Sequence, residues 1–122
     1  MSQVIIETFN ADWLRAWSDK NIESLLGFYT PDTVYKDVQT AAGLHGHDAL
    51  GAYLEQLFSS TPPMVYTADA TWVISGGYCG RWYCEIGNDG KEGRLRGFDL
   101  VLFRDGLISH NEVYVHQLEV EA

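Results

Sequence analysis

The chain has little cysteine, little proline and few basic residues. Its 122 residues include two cysteines and three prolines, and eight lysines and arginines stand against 17 aspartates and glutamates, for a net charge of −9. Phosphate backbones and anionic lipids repel so acidic a chain, which argues against nucleic acid and membrane surfaces as partners. No stretch approaches the ~18 consecutive apolar residues of a membrane helix.

The few cysteines and the first ten residues indicate a reduced, cytoplasmic protein. Cys79 and Cys84 lie five positions apart on one predicted strand, so they point to opposite faces and are not expected to pair. The segment "MSQVIIETFN" lacks the basic start and the long apolar run of a secretory signal. With 46% hydrophobic and 13% aromatic residues, the composition predicts a folded protein, and the length predicts one domain over residues 1–122.

Helical periodicity dominates the first half of the chain. Apolar residues recur at helical spacing over residues 2–18, and Ser2 is placed to cap that helix. A short second helix is predicted to present Ile22, Leu25, Leu26 and Tyr29 on its apolar face and to end at "TPD", residues 30–32. The segment "HDALGAYLEQLF", residues 47–58, has the clearest helical pattern in the chain.

The remainder of the chain is predicted to be strand. One strand covers residues 33–38, and turn signals separate four more, so the order is α-α-β-α-β-β-β-β. This order predicts an α+β fold, in which a strongly curved antiparallel sheet is closed by the N-terminal helices into a cone with a pocket. The last four predicted strands are residues 64–75, 78–86, 93–103 and 107–120.

Three motifs in this order resemble the nuclear transport factor 2-like superfamily, and within it the SnoaL-like polyketide cyclases and ketosteroid isomerases. They are "SDKNIESLLGFYTPDTVYKDV", "LHGHDALGAYLEQLF" and "LRGFDLVLFRDGLIS", which together span nearly the whole chain. The superfamily also contains epoxide hydrolases, scytalone-type dehydratases and noncatalytic binding or dimerising domains. The resemblance implies the fold more strongly than any one activity.

Asp99 lies among apolar residues in the strand "FDLVLFRDG". Burial there would disfavour the charged carboxylate and raise its pKa. The resemblance implies that Asp99 faces the pocket, either as the protonated donor of the isomerases or as the acid/base of the cyclases. Asp37 lies at a position similar to the isomerase base. Two carboxyl groups in different surroundings can divide the roles of base and acid, so both are predicted to be catalytic.

Five further residues are predicted to bind substrate. Tyr35 shares a strand face with Asp37, and Asn111 shares one with Val113. Trp13 stands where the isomerases carry a tyrosine on the first helix, which argues against a true steroid isomerase. The position at which the epoxide hydrolases carry their last aspartate is Val113, which disfavours epoxide opening. The predicted substrate-binding set is Tyr35, Trp13, Asn111, Val113 and Trp17.

Two groups of polar residues have no assigned role. A dehydratase would need a histidine in the pocket, but the four histidines do not align with such a site, and they do not form a convincing metal site. A second group, on one face of a predicted strand, could belong to a pocket, a dimer surface or a solvated edge. The histidines are His45, His47, His110 and His116; the second group is Arg81, Tyr83 and Glu85.

The sequence therefore predicts a small cofactor-independent acid/base enzyme. It would act on a hydrophobic carbonyl compound through an enolate, as a cyclase or isomerase does, with no metal and no nucleotide, and would form a homodimer. The alternatives are a dehydratase or epoxide hydrolase on the same fold, and a noncatalytic ligand-binding or dimerisation module. In such a module, Asp99 would bond to backbone and the cone would be filled.

Overall fold

The structure is a computed structural model that describes residues 2–118. Three α-helices and a six-stranded sheet make up an α+β fold, as predicted, and a single 3-10 turn covers Asn88–Gly90. The helices are α1 (Gln3–Asp19), α2 (Ile22–Leu26) and α3 (Gly46–Ser60). The strands are β1 (Tyr29–Lys36), β2 (Leu44–His45), β3 (Met64–Ile74), β4 (Gly77–Ile86), β5 (Gly93–Arg104) and β6 (Leu107–Leu118).

The starts of α1 and α2 follow from side-chain caps. The Ser2 hydroxyl accepts a hydrogen bond from the Ile5 amide at 3.2 Å, and the Asn21 side chain accepts one from the Ser24 amide at 3.1 Å. Each bond satisfies one of the amide groups that a helix leaves unpaired in its first turn. The predicted cap at Ser2 is therefore confirmed.

The "TPD" segment does not end a helix, as the sequence pattern predicted, but lies within β1. That strand begins at Tyr29, which was expected on the apolar face of α2. Pro31 has no amide hydrogen for a ladder, and it falls where the pairing of β1 with β6 shifts register, between Tyr29 and Val34. A proline is tolerated at such an irregularity, so it does not break the strand.

The sheet has the order β2-β1-β6-β5-β4-β3. The four long strands of the second half pair antiparallel, as predicted. β1 differs, since it pairs parallel to β6, with Tyr35 opposite Asn111. No hairpin joins these two strands, so the chain can return to β1 in the same direction after passing through α3 and four further strands. The predicted end of β6, residues 119–120, lies outside the described residues.

The core lies between the helices and the inner face of the sheet. Large buried side chains from α1, α3 and the strands fill it, among them Trp13, Leu50, Leu54, Tyr78 and Ile108. Within residues 2–118, no helix is both long enough and apolar enough to span a membrane. Cys79 and Cys84 are both free, as predicted.

Candidate active site

A cavity of about 210 Å³ lies between the helices and the inner face of the sheet. Asp99 and Asp37 both line it, from β5 and from the loop after β1. Most of the remaining lining is apolar. The aromatic residues of the lining are Trp13, Trp17, Tyr35, Tyr53, Phe58, Tyr66 and Trp82.

Asp99 is the buried carboxyl group of this cavity. It is 2% exposed, because the alternation of β5 turns it inward together with the buried Gly97 and Val101. The indole nitrogen of Trp82 donates to one carboxyl oxygen at 2.7 Å, and the amide nitrogen of Asn111 donates to the other at 3.0 Å. Both oxygens are thus held by neutral side-chain donors.

Burial raises the pKa of Asp99 to about 6, and the hydrogen bonds from Asn111 and Trp82 limit the rise. Both partners donate, and donors favour the charged form of a carboxyl group. The carboxylate therefore predominates at pH 7 in the free protein. This geometry agrees with an acid/base that gains and loses a proton near neutral pH, and less well with a permanently protonated donor.

A chain of hydrogen bonds behind Asp99 fixes the orientation of Asn111. The Trp13 indole donates to the Tyr29 hydroxyl at 3.2 Å, and that hydroxyl donates to the Asn111 carbonyl oxygen at 3.0 Å. The Asn111 amide nitrogen is thereby turned toward Asp99. Asn111 does not itself line the cavity, so it is placed to act through Asp99 rather than on a ligand. Tyr29 has no counterpart in the sequence-based prediction, which placed it on α2.

Gly97 makes room for the Trp82 indole. The two residues are cross-strand partners on β4 and β5. A Cβ atom at position 97 would overlap the six-membered ring of Trp82, so only glycine lets the indole lie flat across β5 and reach Asp99. Trp82 was not predicted as a site residue. Two features of the sequence point to it: Trp82 shares a strand face with Cys84, and a glycine, Gly97, stands two residues before Asp99.

Asp37 has the contacts of a structural carboxylate. One oxygen accepts hydrogen bonds from the hydroxyls of Tyr35 at 2.9 Å and Tyr53 at 2.6 Å. The other accepts from the Gln39 amide, the Thr40 amide and the Thr40 hydroxyl. This is the pattern by which an aspartate stabilises a turn, and it leaves little of the carboxylate free to take a proton from a ligand. Its role as the base therefore stays a prediction.

The other predicted substrate-binding residues divide between the cavity and its surroundings. Trp13, Trp17, Tyr35 and Val113 line the cavity, whereas Asn111 lies behind Asp99. Trp17 stacks with Tyr35, with ring centroids 6.3 Å apart. The structure thus brings four of the five together with both carboxyl groups.

Tyr66 supplies a hydroxyl that the sequence analysis did not identify. It extends from β3 into the cavity, and its ring packs edge-on against Trp82 with centroids 5.1 Å apart. Within residues 2–118, its hydroxyl has two sulfur partners, the thioether of Met64 at 4.0 Å and the side chain of Cys84. Sulfur is a weak acceptor. Burial raises the pKa of Tyr66 well above its usual value. The hydroxyl is therefore a neutral donor that a ligand could engage.

The histidines lie outside the cavity lining. His47 contacts the Tyr29 carbonyl oxygen at 2.9 Å, His110 pairs with Glu112, and His116 contacts Arg96. Across residues 2–118, no group of histidine, cysteine and acidic side chains is arranged to hold a metal ion. His45 is the residue before α3 and makes no side-chain cap.

The unassigned face of β4 points away from the cavity. Arg81 pairs with Asp69 at 2.6 Å and lies over the ring of Trp72, 5.5 Å from its centroid. A shallow outer groove contains Arg81, Arg96, Phe98 and neighbouring residues. Tyr83 and Glu85 alternate with the buried Trp82 and Cys84, so they share this outer face.

The chain belongs to the SnoaL-like domain family, whose model matches residues 11–111. This match covers the second half of α1, β1, Asp37 and Asp99. None of the curated proteins matches the chain significantly.

Solved structures share the fold at low sequence identity. A SnoaL-like protein of unknown function from Burkholderia thailandensis is 15% identical, with a TM-score of 0.75, over 98% of this chain and 99% of that one. A protein from Mycobacterium tuberculosis is 16% identical, with a TM-score of 0.75, over 96% and 98%. A protein from Catenulispora acidiphila with a ketosteroid isomerase-like fold, solved with trimethylamine, is 15% identical, with a TM-score of 0.72, over 87% and 83%. Identities at this level establish the fold alone.

Proposed function

We propose that the protein is a cofactor-independent acid/base enzyme that acts on a small hydrophobic carbonyl compound. The observation that carries the proposal is Asp99, a buried carboxyl group on the wall of an apolar cavity, held by Trp82 and Asn111 with a pKa of about 6. A general base works best when its pKa lies near the operating pH. A buried carboxyl group that served only the fold would not need to face a cavity.

In the proposed reaction, the Asp99 carboxylate removes a proton from the carbon next to the substrate carbonyl. The electron pair of that C–H bond moves to the carbonyl oxygen and forms an enolate. The Tyr66 hydroxyl is the proposed donor to this oxygen, because its present partners, the sulfur atoms of Met64 and Cys84, are weak acceptors. Asp99, now protonated, returns the proton to another carbon in an isomerisation, or to the new alkoxide after ring closure in a cyclisation. Atoms and charge balance without a cofactor.

Asp37 has a different place in this proposal from the one its position in the family implies. Asp37 accepts five hydrogen bonds, two at one oxygen and three at the other, which use all of its lone pairs. Each oxygen of Asp99 accepts only one side-chain hydrogen bond from the described residues and keeps a lone pair for a proton. We assign it the role of holding Tyr35 and Tyr53 in the cavity wall. The base is then Asp99, and not Asp37.

The cavity volume restricts the substrate. Pockets for drug-sized ligands measure ~300–1,000 Å³, and this cavity measures about 210 Å³. A compound of one or two rings fits that volume better than a four-ring steroid. The proposed substrates are therefore small cyclic or aryl ketones and 1,3-dicarbonyl compounds.

Two observations weigh against the alternatives. A noncatalytic module was expected to have a filled cone with Asp99 bonded to backbone, whereas here a cavity is present and the partners of Asp99 are side chains. A dehydratase with a histidine base would need an imidazole in the cavity, and each of the four histidines lies outside its lining.

The test is deuterium exchange at the carbon next to the carbonyl group. A panel of small ketones and 1,3-dicarbonyl compounds is incubated in deuterium oxide and followed by proton NMR, with the wild type, Asp99→Asn and Asp37→Asn. We expect exchange above the buffer rate that falls by about 10²-fold or more in Asp99→Asn, and by less in Asp37→Asn. Exchange that survives in Asp99→Asn and is lost in Asp37→Asn would assign the base to Asp37 instead.

We also propose that the protein is a homodimer formed through the outer face of the sheet. On that face, three aromatic side chains are exposed: Trp72 by 45%, Phe98 by 41% and Tyr114 by 61%. Aromatic residues and arginine are enriched at protein–protein interfaces. Arg81 and Arg96 lie among them, so two copies of an acidic chain would meet where repulsion is least. Light scattering after size exclusion should give twice the monomer mass, and Phe98→Glu should give the monomer. A wild-type monomer at high concentration would contradict this.

A further inference from the structure

The lining of the cavity carries negative charge and no positive charge. Within the described part of the chain, it includes the carboxyl groups of Asp37 and Asp99 and no lysine, arginine or histidine. The whole chain has a net charge of −9. A cleft lined by one sign of charge concentrates ligands of the opposite sign. An anionic ligand, by contrast, would meet two carboxyl groups and no counter-ion.

Among residues 2–118, no cationic side chain balances the charge of Asp99. Its two partners, Trp82 and Asn111, are neutral. Four titratable groups that sense its charge are also neutral at pH 7, since burial chiefly, and the Asp99 charge to a smaller extent, raise their pKa values. They are Tyr29, Tyr66, Tyr78 and Cys79; in the three tyrosines other neighbours contribute as well, and in Tyr66 the neighbouring Cys84 contributes more than Asp99. A buried carboxylate without a counter-ion is costly, and a cationic ligand would offset that cost.

The aromatic side chains of the lining add a second attraction for a cation. Seven of them surround the cavity. Trp17 lies 6.0 Å from Tyr66, and Tyr66 lies 5.1 Å from Trp82, between ring centroids. The face of an aromatic ring is electronegative and attracts an ammonium group within about 6 Å of its centroid. Such a set of rings suits a substituted ammonium, whose methyl or methylene groups also gain from apolar contact.

We propose that the cavity binds a small organic cation, a substituted ammonium with one apolar group, in the space between Asp99 and the aromatic rings. This proposal deepens the proposed function, because the substrate would then be an amino ketone or a related ammonium-bearing carbonyl compound. Only this statement about the substrate rests on the proposed reaction; the binding of a cation does not. A positive charge close to the carbonyl group offsets the negative charge that develops on the enolate. The cavity, which measures about 210 Å³, has room for such a molecule.

The test of binding compares a cation with a neutral molecule of the same shape. Choline and 3,3-dimethylbutan-1-ol differ in that a carbon atom replaces the nitrogen, and calorimetry at about pH 7.5 measures the affinity of the wild type for each. We expect choline to bind about tenfold tighter than the alcohol or more. A factor of ten in affinity corresponds to the strength of a partly desolvated cation–π contact beside a carboxylate. Equal or tighter binding of the neutral alcohol would overturn the proposal.

The part played by Asp99 is tested with a matched pair of variants. Asp99→Asn removes the buried charge, whereas Asp12→Asn removes an exposed charge from α1. Asp99→Asn should lose the preference for choline, and Asp12→Asn should keep it. If Asp99→Asn does not fold, choline affinity of the wild type should still fall several-fold between about pH 7.5 and pH 5, as Asp99 takes up a proton. A preference unchanged by Asp99→Asn, or by this change of pH, would refute the role of Asp99.

These measurements are independent of the exchange assay. A preference for choline without exchange in any ketone would leave the cation site intact and remove the proposed reaction. Exchange in neutral ketones, with no preference for the cation, would leave the reaction intact and remove the cation site.

Discussion

Replacing Asp99 with asparagine should change how stability depends on pH, in a direction fixed by burial. The pKa of Asp99 rises from 3.8 to about 6 on folding, chiefly because the carboxyl group is desolvated. Between these values the folded protein holds a proton that the unfolded chain has released. Stability therefore falls as pH rises through this window, and the loss is complete above the folded pKa. Asp99→Asn has no such proton.

The size of the effect follows from the shift. A difference of about two units corresponds to about 3 kcal/mol over the full window, at 1.36 kcal/mol per unit. Part of the window lies near the sequence pI of about 4.6, where solubility is lowest, so the practical range is about pH 5 to 8. Over that range, the linkage relation gives a loss of about 1.4 kcal/mol in the contribution of Asp99 to the free energy of unfolding.

Urea denaturation of the wild type and of Asp99→Asn, at unit steps of pH, measures this difference. The free energy of unfolding of Asp99→Asn, minus that of the wild type, should rise by about 1.4 kcal/mol from pH 5 to pH 8. Other titrating groups cancel in the subtraction. Asp12→Asn controls for the loss of one negative charge at an exposed position. A difference that stays flat, or that falls with pH, would refute the account of a desolvated Asp99.

Three further substitutions test the surroundings of Asp99. Gly97→Ala should cost about 1–3 kcal/mol of stability by overpacking, and should raise the pKa of the buried carboxyl group as the Trp82 indole is displaced, which tryptophan fluorescence and a carboxyl titration would reveal. Tyr29→Phe should cost about 1–3 kcal/mol in urea denaturation, since it leaves the carbonyl oxygen of Asn111 without its donor. Tyr66→Phe should leave stability nearly unchanged but lower ketone exchange by about 10²-fold. Unchanged exchange in that last variant would remove Tyr66 from the proposed reaction.

The sequence allowed the fold to be predicted more fully than the site. Apolar periodicity and turn residues identified α1, α3 and the four long strands, because each has a clear repeat. The parallel pairing of β1 with β6 could not be predicted in this way, since it is a contact between strands 70 or more residues apart and leaves no local pattern. The "TPD" segment carries the local signals of a turn, and only the irregular pairing of β1 with β6 shows that it lies within a strand.

The residues of the candidate active site were likewise predictable only in part. Asp99 could be identified because a carboxyl group in an apolar strand is conspicuous. The alternation of β6 predicted that Asn111 faces the pocket with Val113, whereas in the structure it lies behind Asp99 and donates to it. Tyr29, Trp82 and Tyr66 could not be identified, because an aromatic residue in a strand is ordinary in sequence. Only the fold shows that the Trp82 indole nitrogen reaches the carboxyl group of Asp99 and that the Tyr29 hydroxyl reaches the side-chain amide of Asn111.

The central claim is that Asp99 is ionised in the cavity at neutral pH and accepts a proton just below it. The most direct measurement is a carbon-13 NMR titration of the aspartate carboxyl groups, with the Asp99 resonance assigned from Asp99→Asn. The account predicts that this resonance titrates near pH 6. Titration at or below the ~3.9 of a free aspartate would contradict it, and would make Asp99 a structural carboxylate in a binding module.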